Sequence, residues 1–196
     1  MWTRVSDNKK DDAPPGVTAA NLRDEATGLL HRPAAGASGV AAHTNYAFDP
    51  SLSWDDVAWL RAATRLPLVL KGILHPDDAR RAVEHGANAI VVSNHGGRQL
   101  DGAVASITAL PGVCEAVRGR CEVLLDSGIR GGTDVLRALS LGASGVLLGR
   151  PALWGLASGG APGAARVLSL LAEEVTETMH LAGCPDVASA RDLHRG

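Results

Sequence analysis

The chain has 196 residues, which at the usual ~100–200 residues per domain makes one domain, or one domain with an arm. Apolar residues make up 45% and charged residues 20%, a composition that excludes a disordered or collagen-like chain. With 19 Lys and Arg against 21 Asp and Glu the net charge is -2, so nothing supports a nucleic-acid or anionic-membrane partner, whereas a few local arginines suffice for a small anion.

Residues 1–50 carry Asp11-Asp12, Pro14-Pro15-Gly16 and an Ala/Gly/Ser-rich run from Pro33 to Ala42 with little periodicity, which predicts an irregular arm or loop. The start has no apolar signal core and no stretch approaches the ~18–20 apolar residues of a membrane span, so the expected compartment is the cytoplasm. From residue 51 to 196 the pattern is that of a folded domain. Ser53 precedes Val57, Leu60 and Ala63 at helical spacing, with Asp55 and Asp56 in the first turn, and predicts a helix start. Short apolar runs then alternate with helical patterns: Leu66 to Leu70 ending at Lys71-Gly72, a helix Pro76 to Glu84, Ala89 to Val92, and a helix around Ile107 to Val117. The series continues with Val123 to Leu125, a helix Asp134 to Leu141, and Val146 to Leu148. Four apolar runs separated by three helices predict parallel β/α units. Further on, Val167, Leu168, Leu170, Leu171, Val175 and Met179 predict one amphipathic helix packed on the core, with Glu173, Glu174 and Glu177 outward.

An internal repeat supports the β/α reading. The stretch from Asp78 to Val92 superposes on that from Asp134 to Leu148 at a constant offset of 56 residues, with Gly86 and Gly142 at equivalent positions where a helix C-cap needs a left-handed residue. Cys114, Cys121 and Cys184 are scattered without metal-ligand spacing and read as reduced thiols. The histidines other than His95 show no metal spacing either, and read as surface or packing residues.

The chemistry-bearing residues are not scattered. Lys71, His95 with Arg98, Asp126 with Arg130, and Gly149-Arg150 each fall at the C-terminal end of a predicted strand, the face that carries catalysis in a β/α barrel. The glycine-rich turn from Asp126 to Gly132 and the adjacent Gly149-Arg150-Pro151 describe a phosphate cradle, which in a barrel belongs after the last two strands. His95 stands three residues from Arg98 on a loop loosened by Gly96 and Gly97, an arrangement in which a guanidinium grips a carboxylate while an imidazole takes a proton.

The segments Leu52–Leu60, Leu70–Gly72, Val92–Asp101, Leu125–Asp134 and Leu148–Pro151 closely resemble the FMN-dependent α-hydroxy-acid oxidases and dehydrogenases, over roughly residues 50–185. The resemblance implies an α/β fold of the TIM-type (β/α)8 barrel class with FMN as cofactor, a small 2-hydroxy acid as substrate, and oxygen or another electron acceptor. Carried over residue by residue, it implies that Lys71 stabilises negative charge on the reduced flavin and that Ser93 binds the flavin edge. It makes His95 the base, with Arg98 pairing with the substrate carboxylate. Asp126, Ser127, Gly128, Ile129 and Arg130 would line the ribityl chain and phosphate, closed by Gly149 and Arg150. Ser127 stands where the family usually has glycine. Arg4, in a weaker match over Arg4–Asp7, is a candidate second substrate contact. No metal is expected.

A typical barrel needs about 250 residues and eight strands, and only four are readable here, so the resemblance is to the C-terminal half. The other flavin face, the active-site tyrosines and the carboxylate that orients the histidine are expected from the first half. Association with that half, or a homo-oligomer, is therefore expected of the exposed sheet edges. Two further readings remain open on the residues: a non-catalytic half-barrel that binds FMN or a phosphate compound, and a flavin barrel of other chemistry, such as an isopentenyl-diphosphate isomerase. The latter would share the phosphate loops without the His-Gly-Gly-Arg motif.

Overall fold

The computed structural model describes residues 49–193. From Trp54 onward these belong to one compact unit built on a single sheet of four parallel strands in the order β1-β2-β3-β4, formed by Val69–Ile73, Ala89–Val92, Glu122–Leu125 and Gly145–Val146. Sequential strands that lie side by side and run parallel, each joined to the next through a helix, are half of a β/α barrel. The reading of residues 1–50 as an arm falls almost wholly outside the described residues.

The helices begin and end where capping chemistry puts them. Helix α1 is Trp54–Ala63, with Asp55 and Asp56 at its start and Arg61 in its last turn, all matched to the helix dipole. Helix α2, Pro76–Glu84, is capped by the His75 ring, which accepts from Asp77 N, and has proline in its first turn, where no N–H is missed. It ends in a Schellman-type closure, with Gly86 N donating to Val83 O, Ala87 N to Ala82 O, and Gly86 at φ +82°. Helix α3 is Ser106–Val117 and helix α4 is Gly132–Ser140. Their apolar faces meet the outer face of the sheet: Ile90, Val92, Val123 and Leu125 pack against Ala79, Ala82, Leu110, Val113 and Ala138. Strand β2 is buried along its whole length, as a central parallel strand must be.

The first strand starts three residues later than the apolar run predicts and runs through Lys71, so Lys71 lies within β1 and not at its end. The reason is a bulge. Lys71 pairs with Val91 but Ile73 with Val92, and Gly72, at φ +95°, absorbs the extra residue. Leu70 and Ile73 can then both pack on the core, leaving Lys71 on the opposite, concave face. Strand β4 is shorter than predicted, although the bond from Leu147 N to Leu125 O extends the pairing by one step. On the concave face Val69 is 47% and Leu147 40% exposed, while Val91 is only 2% exposed. Exposure concentrates on β1 and β4 because Val91 is flanked on both sides by its register partners Lys71 and Leu124.

Helix α5, Arg150–Leu181, is longer than the amphipathic pattern indicates and is broken at Gly159-Gly160, where Gly160 has φ +62°. A Cβ on Gly155 would fall 2.6 Å from Gly163 O, whereas eight residues of straight helix would separate them by about 12 Å, so the helix doubles back at the break. Its apolar stripe is only partly used. Met179 joins Leu136, Leu139, Cys184 and Ala190 in a small second core, while Leu168 and Leu170 stay exposed. All three cysteines are free thiols. No helix among the described residues is long and apolar enough to cross a membrane.

Candidate active site

Strand alternation places Lys71, Ser93 and Asp126 on the concave face, Ser93 and Asp126 just past the C-terminal ends of β2 and β3 and Lys71 within β1. Asp126 N donates to Val92 O, which sets Ser93 and Asp126 side by side, and Lys71, one pair lower, reaches up to both. Its ammonium donates to Ser93 Oγ at 2.8 Å and lies 2.9 Å from Asp126 Oδ2. Ser93 is 2% exposed. Burial pushes the Asp126 carboxyl up, but hydrogen bonds from Ser93, Ser127 and Lys71, together with the ammonium charge, outweigh it and hold the group below its ordinary value. Asp126 is therefore an anion neutralised by Lys71. Beneath it the hydroxyl of Ser106, at the start of α3, donates to Asp126 O at 2.5 Å and Ser127 O at 3.1 Å, tying the loop after β3 to the fold.

The loop after β2 is a single tight turn, His95–Gly97, with left-handed backbone at His95 (φ +56°), Gly96 (+68°) and Gly97 (+73°). Asn94 clasps it, accepting from Gly97 N and donating to Val104 O. His95 N donates to Ser93 Oγ at 3.0 Å and Gly96 N to Ser127 Oγ at 2.9 Å, while the guanidinium of Arg98 lies 2.6 Å from His95 Nε2. A Cβ on Gly96 would meet the Arg150 guanidinium at 3.0 Å, so glycine here lets the start of α5 close over the turn. The loops after β2, β3 and β4 thus touch one another.

The N-terminus of α4 is closed, and the open donors lie in the Asp126–Arg130 turn and at Gly149, the loops in which the sequence pattern indicates a phosphate cradle. Arg130 N and Gly131 N donate to Asp134 Oδ2, and Gly132 N donates to Glu174 Oε2 at 3.0 Å, so the first turn of α4 is filled by the chain's own carboxylates. Glu174 is on the outer, exposed face as expected and in addition caps α4. The open donors sit one step earlier. Among the described residues the N–H groups of Gly128, Ile129 and Gly149 have no protein partner. Arg130 lies over the Trp154 ring at 4.9 Å, donates to Ile129 O and lines the same cavity as these donors.

These parts surround one cavity of about 240 Å³. Its wall includes Lys71, His95 and Arg98 on one side, Asp126, Ser127, Gly128, Ile129 and Arg130 in the middle, and Gly149 and Arg150 on the other. Ser93 is not part of that wall but bonds to Lys71 and His95, which are. Arg4 lies outside the described residues. The sequence pattern missed Ser106, Asn94 and Glu174; the two serine and asparagine roles follow turn chemistry that a motif hides, and Glu174 acts across 42 residues of chain. Leu147, Leu148 and Leu153 complete the wall with apolar surface. Among the described residues no cluster of three or more His, Cys, Asp or Glu is arranged to hold a metal.

The arrangement offers a guanidinium beside an imidazole, an exposed ammonium paired with a partly buried carboxylate, and a group of open N–H donors with arginines. A model of the FMN-dependent dehydrogenase family matches residues 3–195. The L-lactate oxidase of Nostoc sp. is 57% identical over 171 residues, 87% of this chain and 47% of that protein. The 4-hydroxymandelate oxidase of Amycolatopsis orientalis is 54% identical over 195 residues, 99% of this chain and 54% of that protein. A crystal structure of mandelate oxidase with (S)-4-hydroxymandelic acid superposes with a TM-score of 0.81 at 56% identity, covering 91% of this chain and 50% of that one. The chain spans about half the length of the relatives it matches.

Proposed function

The chain belongs to the FMN-dependent dehydrogenase family, and on that premise we propose that it forms the half of a 2-hydroxy-acid oxidase or dehydrogenase barrel that holds the FMN phosphate and the substrate carboxylate. The observation that carries the proposal is the convergence of His95, Arg98 and Lys71 with the unpaired N–H groups of Gly128, Ile129 and Gly149 on one cavity. The residues present fit the cofactor: the orphan N–H groups and Arg130 and Arg150 suit a phosphate, and Lys71 is a cation on the cavity wall, suited to an electron-rich ring. When bound, FMN supplies the two-electron acceptor for the oxidation of the hydroxy acid to a 2-oxo acid, and oxygen or another acceptor then takes those electrons.

The chain's own residues do the rest. Arg98 binds the substrate carboxylate, releasing His95 Nε2 to accept a proton from the substrate, either from the hydroxyl or from the α-carbon. Lys71 holds positive charge where negative charge develops, and Asp126 keeps it in place. Residues 51–196 are read as the catalytic half-barrel and residues 1–50 as an arm in which Arg4 adds a substrate contact. The compartment is read as the cytoplasm.

A second reading, an FMN- or phosphate-binding half-barrel without turnover, draws on the exposed Val69 and Leu147 of the outer strands. Titration of the chain with FMN, followed by quenching of flavin fluorescence, tests the binding shared by both: saturable quenching that weakens about tenfold in Arg150→Ala is expected, and no quenching would remove both. Formation of a 2-oxo acid separates them.

A further inference from the structure

Among the described residues three that are not glycine have left-handed backbone: His95, Arg118 and Ser127. Arg118 is the C-cap of α3, where that conformation is ordinary. The other two have no such local reason, and strained conformations persist only where their surroundings over-determine them. Here the surroundings are one network. Two consecutive N–H groups, of His95 and Gly96, each donate to a serine hydroxyl, Ser93 Oγ at 3.0 Å and Ser127 Oγ at 2.9 Å. Ser127 Oγ in turn donates to Asp126 Oδ1 at 2.7 Å, and Ser93 Oγ accepts from the Lys71 ammonium that pairs with Asp126 Oδ2 at 2.9 Å.

The direction of every bond follows from chemistry. Backbone N–H and ammonium groups can only donate, so each hydroxyl must accept from them, and its own hydrogen is left for an acceptor. An ionised carboxylate is acceptor-only, and Asp126 is ionised beside Lys71. A single carboxylate thereby holds Ser127 directly, and Ser93 through Lys71, at the two amides that bracket the His95 side chain.

We propose that Asp126, acting directly on the Ser127 hydroxyl and through Lys71 on the Ser93 hydroxyl, is the positioning residue that holds His95 in its left-handed turn and so sets the direction of its ring. The role is distinct from contact with a cofactor and applies to the chain as it stands. Its catalytic meaning rests on the assignment of His95 as the base. Ser127 then has a use that glycine at the same φ could not supply, because glycine adopts the conformation freely but offers nothing to Gly96 N.

The test is amide hydrogen exchange, read by NMR on the 196-residue chain and on Ser127→Gly. The substitution relieves backbone strain while deleting the hydroxyl, so a purely conformational role predicts no loss. The clamp predicts that the Gly96 amide exchanges about tenfold faster, with the Ile90 and Val92 amides unchanged and the His95 Cε1–H resonance displaced. Ser93→Ala should release the His95 amide in the same way. Unchanged Gly96 protection, a Gly96 amide already as fast as an open-chain amide in the wild type, or equal acceleration at Ile90 and Val92 would each overturn the proposal. None of these readouts needs FMN or turnover, so a failure of the enzymatic reading would leave them interpretable.

Discussion

Arg98 holds a guanidinium N–H 2.6 Å from Nε2 of His95, on the same loop and three residues away. A guanidinium can only donate, so Nε2 must be the unprotonated acceptor and Nδ1 carries the hydrogen of the neutral ring. The nitrogen assigned to proton abstraction is therefore in the basic form but covered. A carboxylate, which only accepts, competes for the same guanidinium in a bidentate fork and uncovers it. The expected outcome is a ¹⁵N spectrum with a non-protonated Nε2 in the chain alone and a displaced His95 resonance on adding a 2-hydroxy acid. Arg98→Ala should abolish the displacement. A protonated Nε2 at neutral pH would show that the contact has another origin.

Asp126 gives a pH dependence of definite sign. Its folded value lies below the ordinary carboxylate value, with burial opposing and the Ser93, Ser127 and Lys71 hydrogen bonds prevailing. A depressed carboxyl contributes stability that is complete above about pH 5 and is lost as pH falls below the unfolded value of about 3.9. Asp126→Asn should lower stability at neutral pH by about 1.5–3 kcal/mol, the range for hydrogen bonds to charged groups, and flatten the acid limb. Thermal melts of both chains across that range check it. Parallel acid limbs would mean that other carboxylates dominate.

Two adjacent glycines separate backbone crowding from side-chain crowding. A Cβ on Gly132 would lie 2.3 Å from the carbonyl carbon of Glu174, in the backbone of α5, whereas one on Gly131 would meet only the Glu174 carboxylate at 2.8 Å. Gly132→Ala must push α4 and α5 apart and is expected to cost at least about 1–3 kcal/mol. Gly131→Ala displaces the end of a flexible side chain and is expected to cost about as much as losing the Glu174 cap, ~1 kcal/mol. Denaturant unfolding of the two variants measures the difference, and equal losses would contradict the packing described.

The same contrast explains what was legible in the sequence. The α2 and β2 bounds follow from proline at the helix start and glycine at its end, signals carried by the backbone itself. The gathering of His95, Arg98, Asp126 and Arg150 follows from parallel strands, whose ends all face one way. The position of Lys71 inside β1 is not legible, because one glycine cannot be read as a bulge before its partner strand is known. The filled α4 N-terminus was hidden because Glu174 arrives from a helix 42 residues on. The fold-back of α5 depends on Gly155 meeting Gly163, a contact that no periodicity encodes.

Binding and turnover should separate in this chain. The donors suited to phosphate lie on β3 and β4 loops that are built here, so a measurable affinity for FMN is expected of the chain by itself. Turnover asks more. The His95 ring has its backbone fixed from below, but four strands line only one side of the cavity, and a ~1 Å error in placing reacting groups can cost ~100-fold in rate. Val69 and Leu147, exposed on the outer strands, mark where further strands would have to pair. The 196-residue chain alone should therefore oxidise lactate, glycolate and mandelate at least ~100-fold more slowly than when co-expressed with the N-terminal half of a relative such as the Nostoc L-lactate oxidase. His95→Ala or Arg98→Ala should remove the activity so restored. Oxidase and dye-reduction assays on the two preparations decide it: robust turnover by the chain alone would show that four strands suffice, and restored activity that survives His95→Ala would refute the assignment of the base.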